Sequence, residues 1–176
     1  MFRRSALCVL AALLPLATSH AREPRPAAQT PIPLPDGKKI RLQQYRGKVV
    51  VLVIFSMTCP DCIENVQMLN RLQKDLGPQG FQAIGAAGDD KAQDAVGAFT
   101  QRYKIAFPIG SLNKDEMIAI GDIDKNRRPV APIFLFIDKA GVVRFQYYGD
   151  DPFFKTSEGS TRSIVQALLK ENAKAK

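Results

Sequence analysis

Cys59-Pro60-Asp61-Cys62 is the part of this chain best equipped to do chemistry. Two thiols three residues apart can close a disulfide and open it again. The attacking species in such exchange is a thiolate, and one exposed nucleophile backed by one shielded partner suits the reaction. Cys59 is read as the attacking thiol and Cys62, one turn further on, as the resolving thiol. Pro60 between them favours a first helical turn. Asp61 places a carboxylate beside the pair. Negative charge there disfavours thiolates, so Asp61 predicts a more reducing couple than a His at that place would give.

The flanking sequence must position these thiols. The apolar run Val49 to Phe55 precedes them and reads as a buried strand. Ile63, Val66, Leu69, Leu72 and Leu76 follow at helical spacing, and Gly77-Pro78 stops the helix. Cys59 therefore sits at a strand-to-helix junction, where free N–H groups and the helix dipole favour an anion.

The rest of the chain supplies a frame. Asp36-Gly37 signals a hairpin whose second, edge-like strand is Lys38 to Leu42. Phe81 to Ala87 reads as a strand, and Asp89-Asp90 as the cap of a helix carrying Ala92, Val96, Phe99 and Tyr103. Phe107 to Ile109 is a short extended piece, and Lys114 to Ile120 a short helix. Ile133 to Ile137 is a buried strand, turning through Asp138–Gly141 into Val142 to Tyr148. Ile164, Val165, Leu168 and Leu169 form the stripe of a last helix. The order predicts an α/β domain: a central mixed sheet with helices on both faces and an N-terminal hairpin.

The N-terminus reads differently. Arg3-Arg4, an apolar stretch from Ser5 to Ala17, and Ser19-His20-Ala21 make the three-part pattern of a secretory signal peptide cleaved near Ala21. An uncleaved N-terminal anchor is the alternative. The predicted divisions are a signal peptide over 1–21, a Pro- and Ala-rich linker over 22–29, one domain over 30–172 and a tail over 173–176. Removing 1–21 from 176 residues leaves 155. Cys8 and the lone His20 leave with it, and the loss of Arg3 and Arg4 lowers the formal net charge from +8 to +6. The basic residues are dispersed, which argues against a nucleic-acid partner. The exported protein then holds two cysteines and no histidine. That excludes a zinc site, which needs further ligands, and a structural bridge across so short a loop would contribute little. No cofactor is called for.

Pro132 is the second candidate. A proline opening a strand needs no ladder partner; alternatively, Val130-Ala131-Pro132 forms a cis-proline loop facing Cys59. Together, Gly47–Leu52, Phe55–Cys62 and Val130–Gly141 resemble the thioredoxin superfamily, and more narrowly exported TlpA/ResA-type thiol–disulfide oxidoreductases. The resemblance spans about residues 30–170. It implies a thioredoxin fold with a central insertion between about residues 88 and 122, a redox-active Cys59–Cys62 disulfide, Pro132 as the cis-proline, and client contacts at Thr58, Pro60, Ala131 and Pro132. It also implies client proteins bearing thiols or disulfides, a membrane electron donor, a monomer, an exported or periplasmic location, and a reductive role such as metalloprotein or cytochrome c maturation.

Three positions depart from the family pattern. Thr58 stands where an aromatic residue usually precedes the first cysteine. Val53 stands where thioredoxins carry a buried Asp, and Glu116 is the candidate replacement proton acceptor. Glu64-Asn65 replaces a frequent basic residue followed by Glu. Two other readings use the same thiols. A peroxiredoxin-like peroxidase resembles Pro-x-x-x-Thr/Ser-x-x-Cys plus an arginine. Ser56 fits that pattern and Arg127, Arg128 or Arg144 could serve, but Leu52 holds the proline place. A redox-regulated or copper-handling protein would use the soft thiolate pair for Cu(I).

Overall fold

The computed structural model describes residues 24–124 and 129–171. The signal-peptide reading over 1–21, the tail over 173–176, and Arg127 and Arg128 lie outside the described residues.

The fold is built on β4 (Val49–Phe55), in which all seven side chains are buried. Such a run needs cover on both sides. Its odd-numbered residues, Val49, Val51, Val53 and Phe55, pack under α1 (Pro60–Leu76), α2 (Ala92–Tyr103) and α4 (Ser157–Lys170). Its even-numbered residues, Val50, Leu52 and Ile54, pack under α3 (Lys114–Gly121) and the hairpin of β2 (Ile32–Pro33) and β3 (Lys39–Ile40). Each fully buried aliphatic side chain here contributes about 1.5–3 kcal/mol relative to exposure.

The six-stranded sheet runs β1-β8-β7-β4-β5-β6. β5 (Phe81–Ala87) lies parallel to β4, and β6 (Ile109–Ser111) parallel to β5. β7 (Ile133–Ile137) runs antiparallel to β4, and β8 (Val142–Tyr147) antiparallel to β7. The mixed sheet with helices on both faces and a separate hairpin agrees with the sequence.

The stretch read as a linker is extended, and part of it is docked. β1 (Arg25–Pro26) pairs with Val142 and Val143 and covers the free edge of β8. Arg25 also donates to Gln146 and to the Gly121 carbonyl, 3.1 Å away, tying this strand to the end of α3.

One local expectation fails. Asp89-Asp90 does not cap α2 through a side chain. Lys91 is the N-cap, at φ 59°, without a side-chain capping bond. The carboxylate of Asp89 points the other way, toward the loop after β4.

Candidate active site

β4 ends at Phe55, and a three-residue turn delivers Cys59 as the N-cap of α1. Pro60 occupies the first turn, where its missing N–H costs nothing. Cys59 Sγ accepts a hydrogen bond from the Cys62 N–H at 3.3 Å. Both thiols are free, with Cys59 half-buried and Cys62 buried at 0% exposure. One thiol is therefore accessible and the other shielded.

Burial, and next the hydrogen bond to Cys59, push the Cys62 thiol up to about 12. A backbone hydrogen bond from Ser56 opposes this, while the charges of Cys59 and Asp61 add to it. Val53 is equally buried in the same apolar cluster, so that position brings no carboxylate to the thiols. A raised thiol pKa keeps the neutral form as pH rises. Cys62 therefore stays in the thiol form across the neutral and mildly alkaline range. Iodoacetamide added to the reduced protein between pH 7 and 9 is therefore expected to label Cys59 and spare Cys62, by peptide mass spectrometry. Equal labelling of the two in the folded chain would contradict this.

The second half of the site comes from the chain before β7. The Ala131–Pro132 peptide is cis. Ile54 pairs with Ile133, so this loop and Cys59 emerge at the same end of the sheet. Pro132 lines a cavity of about 320 Å³ with Asp61, Glu64 and Asn65 of α1 and with Gly149, Phe154, Lys155 and Ser157. Asn65 is only 8% exposed; its Nδ2 donates to the Asp61 carbonyl at 2.8 Å, while its Oδ1 has no partner. Ala131 faces a second, mostly apolar cavity of about 400 Å³, shared with Ser56, Gly88, Met117 and Ile133. Gly149 donates its N–H to the Val130 carbonyl at 2.8 Å. Val130 itself is 43% exposed, a large apolar side chain open to solvent beside the thiols' end of the sheet.

Thr58 is exposed, and its hydroxyl lies 3.0 Å from that of Ser56. Glu116 lies in the first turn of α3. It closes a capping box at the start of α3, accepting from the Asn113 N–H at 2.8 Å while Asn113 accepts from its N–H at 2.9 Å. Arg144 is held by Asp138 at 3.2 Å and Glu171 at 2.7 Å, toward the far end of β7. Asp89 is the residue that sequence reading misplaced. Its carboxylate accepts the Ser56 hydroxyl at 2.6 Å and the Met57 N–H at 2.8 Å. The parallel register, Phe55 against Ala87, is the signal that places residue 89 beside residues 56–57.

The model of the AhpC/TSA family matches residues 24–146, a span holding both cysteines and the cis-proline. The chain belongs to the AhpC/TSA family. Among its relatives, this AhpC/TSA-family chain is 30% identical to the thiol-disulfide oxidoreductase ResA of Bacillus thuringiensis over 115 residues. That match covers 65% of the chain and 63% of ResA, so the chain spans under two thirds of this relative's length. Mouse glutathione peroxidase 7 is 29% identical over 82 residues, covering 43% of the chain and 44% of that protein. A thiol:disulfide interchange protein of the thioredoxin family from Chlorobium tepidum superposes with a TM-score of 0.69 at 23% identity, covering 84% of the chain and 98% of that structure. A DsbF homologue from Corynebacterium diphtheriae gives 0.68 at 16% identity, covering 83% and 88%. The fold is thioredoxin-like.

Proposed function

We propose that this chain is a thiol–disulfide oxidoreductase that reduces disulfides of exported client proteins. The observation that carries this is the asymmetry of the pair: Cys59 accessible at a helix N-terminus, Cys62 buried behind it with its thiol held protonated. The Cys59 thiolate attacks one sulfur of a client disulfide. A Cys59–client bond forms, and the other client sulfur leaves as a thiolate and takes a proton. Cys62 then loses its proton and attacks Cys59 Sγ. The Cys59–Cys62 disulfide forms and the client's second sulfur leaves reduced. Two electrons have passed from the dithiol to the client, and a membrane-bound dithiol donor would restore them. Thr58, Pro60, Ala131 and Pro132 surround the path the client chain would take. Export through the 1–21 segment, action as a monomer, and clients such as haem- or copper-site thiols belong to the same proposal.

A thiol peroxidase is the second reading, favoured by the family match and the glutathione peroxidase relative. Ser56 weighs against it, because its hydroxyl is engaged by Asp89 rather than by Cys59. Insulin reduction driven by dithiothreitol and hydrogen peroxide consumption separate the two. The oxidoreductase reading expects the first, well above the rate with dithiothreitol alone. Peroxide turnover without insulin reduction would overturn it.

A further inference from the structure

The turn that carries the chain from β4 into α1 is tied to one carboxylate through two of its residues, Ser56 and Met57. β4 and β5 pair up to Phe55 and Ala87, and Gly88 still donates to the Phe55 carbonyl at 2.9 Å. Beyond that point the strands part. Asp89 then accepts the Ser56 hydroxyl on Oδ1 and the Met57 N–H on Oδ2. Ser56 passes the restraint onward: its Oγ accepts the Thr58 N–H at 3.2 Å, and its carbonyl accepts the Cys59 N–H at 3.3 Å.

The side chain of Asp89 is free for this task because its backbone carbonyl, not its carboxylate, meets α2, accepting the Ala92 N–H at 3.0 Å. The two donors reach different oxygens of the carboxylate, and Asn in the same pose would turn an NH2 donor toward one of them. Bonds to an ionised carboxylate are also about twice as strong as neutral ones.

We propose, resting on the oxidoreductase reading above, that Asp89 is the positioning residue for the nucleophile: it clamps the 56–58 turn so that Cys59 Sγ is held against Cys62 and toward the client. Asp89 touches no reacting atom. Its effect comes through Ser56 and Met57, and it couples the head of the central insertion to the thiols. A loop held at one place raises the effective concentration of one thiol against the other, and misplacement by about 1 Å can cost about a hundredfold in rate.

The test uses Asp89→Ala, Asp89→Asn and Ser56→Ala in the full chain, with folding followed by circular dichroism. Asp89→Ala is expected to slow insulin reduction at least about tenfold. It is also expected to lower the equilibrium constant for the Cys59–Cys62 disulfide against glutathione at least about threefold, because the thiols are no longer held together. A residue that supported both redox forms equally would leave that constant unmoved. Asp89→Asn keeps one acceptor and falls between. Adding Ser56→Ala to Asp89→Ala brings little further loss, since both act through one network. A folded Asp89→Ala chain within twofold of wild type in the glutathione equilibrium overturns the proposal. If Asp89→Ala does not fold, a wild-type value for Asp89→Asn overturns it instead. If the wild-type chain fails to reduce insulin, the oxidoreductase reading falls, while the glutathione equilibrium still decides the role of Asp89.

Discussion

Replacing Cys59 with Ser is expected to return insulin reduction to the rate of dithiothreitol alone. A serine hydroxyl cannot form the mixed disulfide, and nothing else near the site can take its place. Cys62 is buried at 0% exposure, with its thiol pushed up to about 12. Neither access nor ionisation lets it attack a protein client. Among the described residues the only cysteines are these two. The loss should come without a fall in Tm beyond about 2 °C, because Cys59 is half-buried and its side-chain role as the α1 N-cap can be taken over by a serine. Insulin turbidity and thermal unfolding by circular dichroism measure the two effects. Substantial remaining activity in Cys59→Ser would assign the attack to another group.

The second large effect is expected at Gly149. No side chain fits there. An added Cβ would lie 2.7 Å from the Ala131 carbonyl carbon and closer still to its oxygen, and 3.1 Å from Val130 Cγ1. The obstacle is backbone, so the 130–132 loop must move. Gly149→Ala is expected to cost about 1–3 kcal/mol, as other overpacked sites do, lowering Tm by about 2–12 °C. Its larger effect is on clients. Ala131 and Pro132 are displaced from the thiols' end of the sheet, and insulin reduction should fall at least about tenfold even where the chain remains folded. Gly97 in α2 is the control: nothing lies within 4 Å of an added Cβ there. Gly97→Ala should stabilise the helix by about 0.5–1 kcal/mol and leave turnover unchanged. Normal turnover in a folded Gly149→Ala chain would remove the 130–132 loop from the client's path.

Much of this molecule can be read from its sequence because its signals are local or strongly periodic. The run Val49 to Phe55 is too apolar for anything but a strand buried on both faces. The stripe Ile63, Val66, Leu69, Leu72 and Leu76 fixes α1, and the two together place Cys59 at their junction. The cis-proline loop was legible through resemblance and not through local chemistry, since a proline opening a strand has an ordinary explanation.

What escaped the sequence depends on register. Asp89 precedes a helix and reads as its cap. Only the parallel pairing of β4 with β5 brings it beside Ser56 and Met57, whose two donors take its carboxylate. Glu116 is a local case: its carboxylate satisfies the α3 N-terminus, three residues from Asn113. Gly149 gave no sign in the sequence, because the close approach that requires it is set by the loop before β7. The cavity beside Asn65 likewise exists only once α1, Pro132 and the turn at Phe154 meet.

The proposed mechanism has Cys59 attack the client and Cys62 resolve the product. It is tested most directly with the Cys62→Ser chain, reduced, mixed with insulin, acid-quenched and mapped by mass spectrometry. A persistent mixed disulfide between insulin and Cys59 is expected, absent from the Cys59→Ser chain and released by dithiothreitol. Failure to trap any adduct from Cys62→Ser while the wild-type chain reduces insulin, or an adduct carried by Cys62 in Cys59→Ser at comparable yield, would contradict it.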